Sequence, residues 1–168
     1  MEIVSGSCRF GLWYVNVWWN DTAVQSVRFS TTGPVGEVPP LIRRYCGGQP
    51  VDCSALDSFA LHDDTPYSRI YRTVRSVPYG TTSTYGEIAE KVGTSPRVVG
   101  QAMARNPTPL VIPCHRIVAA QGIGGFTPEV EIKEALLAME KRVLHKNNRG
   151  KKPNIINTSQ LPATESRF

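Results

Sequence analysis

No stretch of the 168-residue sequence approaches the roughly 18 consecutive apolar residues that a bilayer-crossing helix requires, which sets helical membrane functions aside. Metal-ligand spacing is missing as well. Cys8, Cys46, Cys53 and Cys114 contain no CxxC pair, and His62, His115 and His145 are scattered along the chain. The first twenty residues have no basic leader, and Asn16 interrupts their apolar run. They therefore predict a strand pair and a chain that stays in the cytoplasm, or in the nucleus of a eukaryote, with its thiols reduced. What is present is ordinary for a globular protein: 40% hydrophobic and 20% charged residues, enough for one full core or two small domains.

The net charge of +5 is unevenly spread. Residues 1–60 carry 4 basic and 5 acidic side chains, 61–145 carry 10 and 8, and 146–168 carry 5 and 1. A mildly positive body fits a nucleic acid gripped over a short footprint, because affinity from phosphate contacts scales with the number of charges neutralised.

From Cys8 to Phe29 aromatic and β-branched residues flank a polar break at Asn20-Asp21, a hairpin pattern. Trp13, Trp18 and Trp19 fall in it and are expected in a small sheet's core rather than as a base-stacking surface. Residues 31–40 predict loop, Pro39 to Tyr45 a short helix ended by Gly47-Gly48, and Val51 to Leu61 a strand or turn. Asp63-Asp64-Thr65-Pro66 is a helix-start signal, followed by a helical stripe of Ile70, Tyr71, Val74 and Val77. Thr84 and Glu87 form a capping box for a second helix whose inner face is Tyr85, Ile88, Ala89 and Val92. After Gly93-Thr94-Ser95, Pro96 opens a third helix with Val98, Val99, Ala102 and Met103. Helix, short turn, helix is the helix-turn-helix pattern. Arg97 leads the third helix and Gly100, Ala102 and Ala104 leave it nearly bare. Such a face suits either a DNA groove or close packing on the N-terminal half.

Cys114 is the candidate nucleophile. It follows the apolar run Leu110 to Ile112, expected to be a strand, and Pro113, and it precedes His115 and Arg116. Only a thiolate attacks, and a neighbouring imidazole or guanidinium lowers the cost of forming one. Asn106 before Pro107 is a turn-fixing residue, and Gly122 to Thr127 a flexible loop. The last helix is expected from Glu129 to Leu144 with Ile132, Leu136, Leu137 and Met139 buried. Glu140 beside that face is either solvated or a partner for an imidazole.

Pro113-Cys114-His115-Arg116, with Asn106-Pro107 eight positions before Cys114, resembles the signature of the O6-alkylguanine-DNA alkyltransferases, strongly over residues 66–144. The resemblance implies an α/β (α+β) fold: a small N-terminal sheet domain with a short helix (1–62), a winged helix-turn-helix-like domain carrying the cysteine (63–145), and a disordered basic tail (146–168). It implies direct, single-turnover DNA repair, in which O6-alkylguanine or O4-alkylthymine is flipped out of duplex DNA and its alkyl group moves to Cys114. His115 and Glu140 would activate the thiol, Tyr85 would donate to the base, and Asn106 would form a hinge. Arg97 would fill the vacated stack, with Thr84, Gly100, Ala102, Met103, Arg105 and Arg116 as further DNA contacts. Tyr85, Met103, Cys114, Ile117, Phe126 and Thr127 would line the base pocket. Phe126 departs from the tyrosine that relatives often carry, which removes a hydrogen bond to the base. No cofactor or metal is implied, although some relatives hold a structural zinc for which Cys8, Cys46, Cys53 and His62 are the available ligands. The expected partner is double-stranded DNA, bound by a monomer. A non-catalytic sensor of alkylated DNA and a helix-turn-helix regulator are the alternatives; the presence of Cys114 argues against the sensor.

Overall fold

The computed structural model describes residues 2–62 and 67–149, so the helix-start signal at 63–66 and the stretch 150–168 lie outside the described residues. Three antiparallel strands open the chain: β1 (Val4–Phe10), β2 (Trp13–Trp19) and β3 (Val24–Ser30), in the order β1-β2-β3. Their inward faces place Cys8 opposite Val15, Val15 opposite Phe29, and Val17 opposite Val27. The tryptophans of β2 are half-buried at its ends, and the Trp13 indole reaches Glu129 at 2.7 Å.

Helix α1 (Pro40–Cys46) lies on this sheet through Leu41, Ile42 and Tyr45. Residues 51–61 supply no strand, only single bridge residues at Val51 and Ser58, the latter paired with Val24. They form two single turns of 3-10 helix, Cys53–Ala55 and Phe59–Leu61, each started by a side chain, Asp52 or Ser58, that accepts a backbone N–H.

Three short helices follow: α2 (Ser68–Arg75), α3 (Tyr85–Val92) and α4 (Pro96–Ala104). Thr84 caps α3 by accepting the Glu87 N–H at 3.1 Å, but the box is not reciprocal, since the Glu87 carboxylate accepts from Ser83 at 2.9 Å instead. Gly93, at φ 81°, ends α3, and Ser95 caps α4. Ile70, Tyr71 and Val74 of α2, Ile88 and Ala89 of α3, and Val99 and Ala102 of α4 share a second core with Ile112 and Ile117. The two-residue strands β4 (Ser83–Thr84) and β5 (Ile117–Val118) pair in parallel across it.

Helix α5 (Val130–Asn148) buries Ile132, Lys133, Leu136, Met139, Glu140 and Val143. Its apolar residues join the sheet's core, not that of α2 to α4, and so lock the two halves together. Leu137 is only half-buried, one helical step off the stripe. The helix continues past Leu144 into the stretch expected to be tail, with Lys146 in its last turn, where the helix dipole favours a cation. Gly80, at φ 78°, lets α5 approach the loop after α2. A Cβ there would stand 2.0 Å from the Leu144 side chain.

Candidate active site

The segment that presents Cys114 is a set of turns rather than the strand expected from its apolar residues. Leu110 takes a left-handed conformation (φ 77°), and the Ile112 N–H donates to the Thr108 carbonyl at 2.9 Å. The physical reason is that consecutive residues serve different cores: Leu110 and Val111 point into the sheet's cluster and Ile112 into that of α2 to α4. A strand's two faces, set by strict alternation, cannot achieve this. Asn106 clamps the turn, donating to the Ile112 carbonyl at 2.8 Å and accepting the Thr108 N–H at 3.0 Å. Pro113 (φ −77°, ψ 65°) then forms an inverse γ-turn closed by the Cys114 N–H on the Ile112 carbonyl at 2.7 Å. Cys114–Arg116 is one turn of 3-10 helix.

Behind Cys114 lies a sealed polar network centred on Glu140, whose side chain is wholly buried. Glu140 Oε2 accepts from Tyr45 Oη at 2.5 Å, from His115 Nε2 at 2.6 Å and from Arg116 Nη2 at 3.0 Å. Its Oε1 accepts from Arg116 Nε at 2.9 Å and the Gly80 N–H at 2.8 Å. Arg116 also pairs with both Asp52 oxygens at 3.2 Å, donates to the Val77 carbonyl at 3.1 Å, and lies 5.4 Å from the Tyr79 ring centroid. Burial alone would raise the Glu140 carboxyl, but His115 and Arg116 hold it well below the usual carboxylate range. Burial lowers the His115 imidazole, against the pull of Glu140, so the ring is neutral near pH 7. With Nε2 on the carboxylate, its buried Nδ1 has no hydrogen-bond partner among the described residues.

Cys114 itself is 6% exposed and forms part of the wall of a cavity of about 280 Å³ shared with Tyr85, Gly100, Met103, Ala104, Asn106, Pro109, Gly125, Phe126 and Thr127. Such a volume is near the lower end for small-molecule sites and suits one flat heterocycle. Burial raises the thiol's pKa, and the Asn106 amide and the Lys133 ammonium offset this only in part. The resting sulfur is therefore a thiol. The assistance expected from His115 and Arg116 is absent because His115 is neutral and the Arg116 charge is matched by two carboxylates.

The expected catalytic set, Cys114, His115, Glu140, Tyr85 and Asn106, is gathered around this one cavity and the network behind it. Met103, Gly100, Phe126 and Thr127 are on its wall; Arg97 is exposed on the first turn of α4. Thr84 is half-buried with its hydroxyl used as a cap, and Arg105 is exposed, donating to the Tyr67 hydroxyl at 2.9 Å. Three assignments are corrected. Arg116 is no DNA contact: it is 0% exposed, and its charge is consumed inside the protein. Ala102 is buried on the inner side of α4, and Ile117 is buried in the core of α2 to α4, away from the cavity wall.

Two residues went unnoticed in the sequence. Lys133 donates to the Ile117 carbonyl at 2.5 Å and the Gly125 carbonyl at 3.2 Å, tying the cavity loop to α5; burial lowers its pKa to about 8. Its signal was available, because Lys133 stands seven residues before Glu140 on the same buried stripe. Tyr45 left no signal beyond an apolar position on α1. The Phe126 ring is also pinned, edge-on to Phe29 with centroids 5.7 Å apart. Among the described residues no cluster of His, Cys, Asp and Glu is placed to hold a metal ion, and His62 pairs with Asp57.

Residues 65–142 match the family described as 6-O-methylguanine DNA methyltransferase, DNA binding domain. A methylated-DNA–protein-cysteine methyltransferase of Methanopyrus kandleri is 43% identical over 107 residues, covering 59% of this chain and 75% of that protein. One from Metallosphaera sedula is 54% identical over 72 residues, or 43% of this chain and 46% of its own length. Among solved structures, the O6-methylguanine-DNA methyltransferase of the hyperthermophilic archaeon Pyrococcus kodakaraensis has a TM-score of 0.64 at 27% identity, covering 83% of this chain and 99% of that one. The Mycobacterium tuberculosis O6-methylguanine methyltransferase, at 23% identity and a TM-score of 0.69 over 84% and 94% of the two chains, shares the fold. The mixed α/β architecture, the Pro-Cys-His-Arg turn at the cavity wall and a relative matched over three quarters of its length agree: the chain belongs to the methylated-DNA–protein-cysteine methyltransferase family.

Proposed function

We propose that this protein repairs alkylated DNA by moving an alkyl group from O6 of guanine to Cys114 Sγ. The observation that carries the proposal is the placement of Cys114. It lies on the wall of a base-sized cavity built from α3, α4 and the 125–127 loop, with a neutral, carboxylate-anchored imidazole next to it in the chain. The alkylated atom faces the interior of a duplex, so the base must leave the stack to reach such a cavity, at a cost of a few kcal/mol. The exposed α4 would enter the groove, with Arg97 filling the gap. A Cβ at Gly100 would meet nothing within 4 Å, so the missing side chain serves no internal packing and keeps the helix surface low beside the cavity mouth.

In the chemical step the Cys114 thiol proton passes to His115 Nδ1, directly or through a water, while Glu140 stabilises the imidazolium through Nε2. The sulfur–carbon bond forms as the carbon–O6 bond breaks. The guanine leaves with the bonding pair, and Tyr85, whose hydroxyl stays protonated because burial raises it, donates to the ring as charge develops. The thioether is stable, so each molecule reacts once.

The test is incubation with a duplex carrying O6-methylguanine, followed by mass analysis of the Cys114 peptide. A gain of one methyl is expected, absent in Cys114→Ser while that variant still binds DNA. Binding without transfer would mark a damage sensor, and indifference to the lesion a regulator.

A further inference from the structure

Tyr45 lies outside the matched segment 65–142, in the sheet half of the molecule, yet its hydroxyl crosses into the network behind Cys114. It sits in the last turn of α1, 1% exposed, and donates to Glu140 Oε2 at 2.5 Å while standing 3.2 Å from His115 Nε2. Its ring is held edge-on to Tyr79 at a centroid distance of 6.0 Å and tilted against the imidazole at 6.4 Å. We propose that Tyr45 is a positioning residue for alkyl transfer, whose hydroxyl shares Glu140 Oε2 with His115 and thereby keeps the imidazole neutral, with Nδ1, which has no hydrogen-bond partner among the described residues, left free to accept the thiol proton. The proposal rests on the assignment of His115 as the base.

The physical reason lies in how much negative charge the imidazole meets. A carboxylate oxygen facing His115 alone would favour the imidazolium, and a ring already protonated cannot accept the thiol proton. A second donor on that oxygen draws off part of its charge. The Tyr45 hydroxyl suits the task because burial, reinforced by the nearby Glu140, raises its pKa so far that it does not ionise in the working range. A phenylalanine would fill the same space and donate nothing.

The groups that face His115 are Glu140 from α5, Arg116 from its own turn, Asp52 from the loop before the first 3-10 turn, and Tyr45 from α1. Those that face Tyr45 are Glu140, Arg116, Cys53, Tyr79 and His115. Glu140 is held ionised and Arg116 protonated, and burial raises Tyr79 and Cys53, so none of these four titrates between pH 5 and neutrality. An acid limb below neutrality in the transfer rate then reports His115, since Lys133, brought down to about 8, and the Cys114 thiol, raised by burial, titrate above it.

The test is single-turnover transfer from the free base O6-benzylguanine, which needs no DNA, followed by intact-protein mass spectrometry from pH 5 to 9. Wild type, Tyr45→Phe and His115→Asn are compared. In wild type the rate should rise with pH as His115 loses its proton. In Tyr45→Phe the limb should move to higher pH by about half a unit or more, because the imidazolium is better stabilised once the competing donor is gone. Protein carrying 3-fluorotyrosine at position 45, a stronger donor of nearly the same shape, should move the limb the other way and keeps the test available if the phenylalanine variant does not fold. A limb that stays in place, with or without a uniform loss of rate, overturns the positioning role and leaves Tyr45 as packing. A wild type without an acid limb, or full activity in His115→Asn, overturns the base assignment and Tyr45's role with it.

Discussion

Replacing Arg116 by methionine separates two accounts of that residue most sharply. Removing the guanidinium strips two hydrogen bonds from Glu140, at 2.9 and 3.0 Å, and two from Asp52, both at 3.2 Å. Glu140 keeps Tyr45, His115 and the Gly80 N–H but loses its guanidinium countercharge, and Asp52 loses its two-pronged partner and keeps only the electrostatic pull of Arg75, in a site where the two carboxylate side chains are 0% and 12% exposed. Breaking a buried pair in this way costs about 3–5 kcal/mol, which for a chain of this size lowers the melting temperature by roughly 6–20 °C. The pH dependence carries the same signature. Glu140 has a depressed pKa in the folded state, so its contribution is present above the ordinary carboxylate value and is lost as pH falls below it. The variant should therefore show a lower urea midpoint at pH 7 and a flatter loss of stability on acidification. If Arg116 contacted phosphate, the melting temperature would hardly change, and the slope of log affinity against log salt, measured on a short duplex below the melting transition, would fall by about one. That second result would refute the buried assignment.

Three further outcomes follow from individual contacts. Arg97→Ala should slow repair of a duplex far more than reaction with free O6-benzylguanine, because the free base bypasses flipping; equal losses on both substrates would remove its wedge role. Gly100→Ala should stabilise α4 by about 0.5–1 kcal/mol, since the new methyl meets nothing inside the protein, while slowing duplex repair. A faster or unchanged duplex rate would mean that α4 does not approach the groove closely. Lys133→Met should cost about 1–3 kcal/mol for each carbonyl left without its donor, at Ile117 and Gly125, and should speed hydrogen exchange across residues 122–127. Unaltered exchange there would show that the loop is held by its other contacts, Phe126 against Phe29 and the Gly125 backbone against the Tyr85 hydroxyl.

The sequence marked the helix-turn-helix because its signals are local. Thr84, Gly93, Ser95 and Pro96 each act on a backbone group within a few residues, and the stripe of Ile70, Tyr71 and Val74 needs only one period to be seen. Cys114 stood out for the same reason, in an unusual run of Pro, His and Arg. Glu140 was recognisable through resemblance, while its periodicity left burial and solvation equally open.

What the tertiary structure alone decided was the direction in which polar groups point and who answers them. Nothing within the Pro-Cys-His-Arg run states that Arg116 turns inward, because the two carboxylates that neutralise it come from positions 52 and 140. Nor does an apolar run from Leu110 to Ile112 announce that it must bend, since the bend arises from two cores meeting at that point. Tyr45 is the limiting case. It reads as an apolar helix position, and only the docking of the sheet half against α5 brings its hydroxyl to Glu140. Capping and periodicity are short-range and survive in one dimension, whereas satisfying a buried charge is a three-dimensional requirement met by residues far apart in the chain.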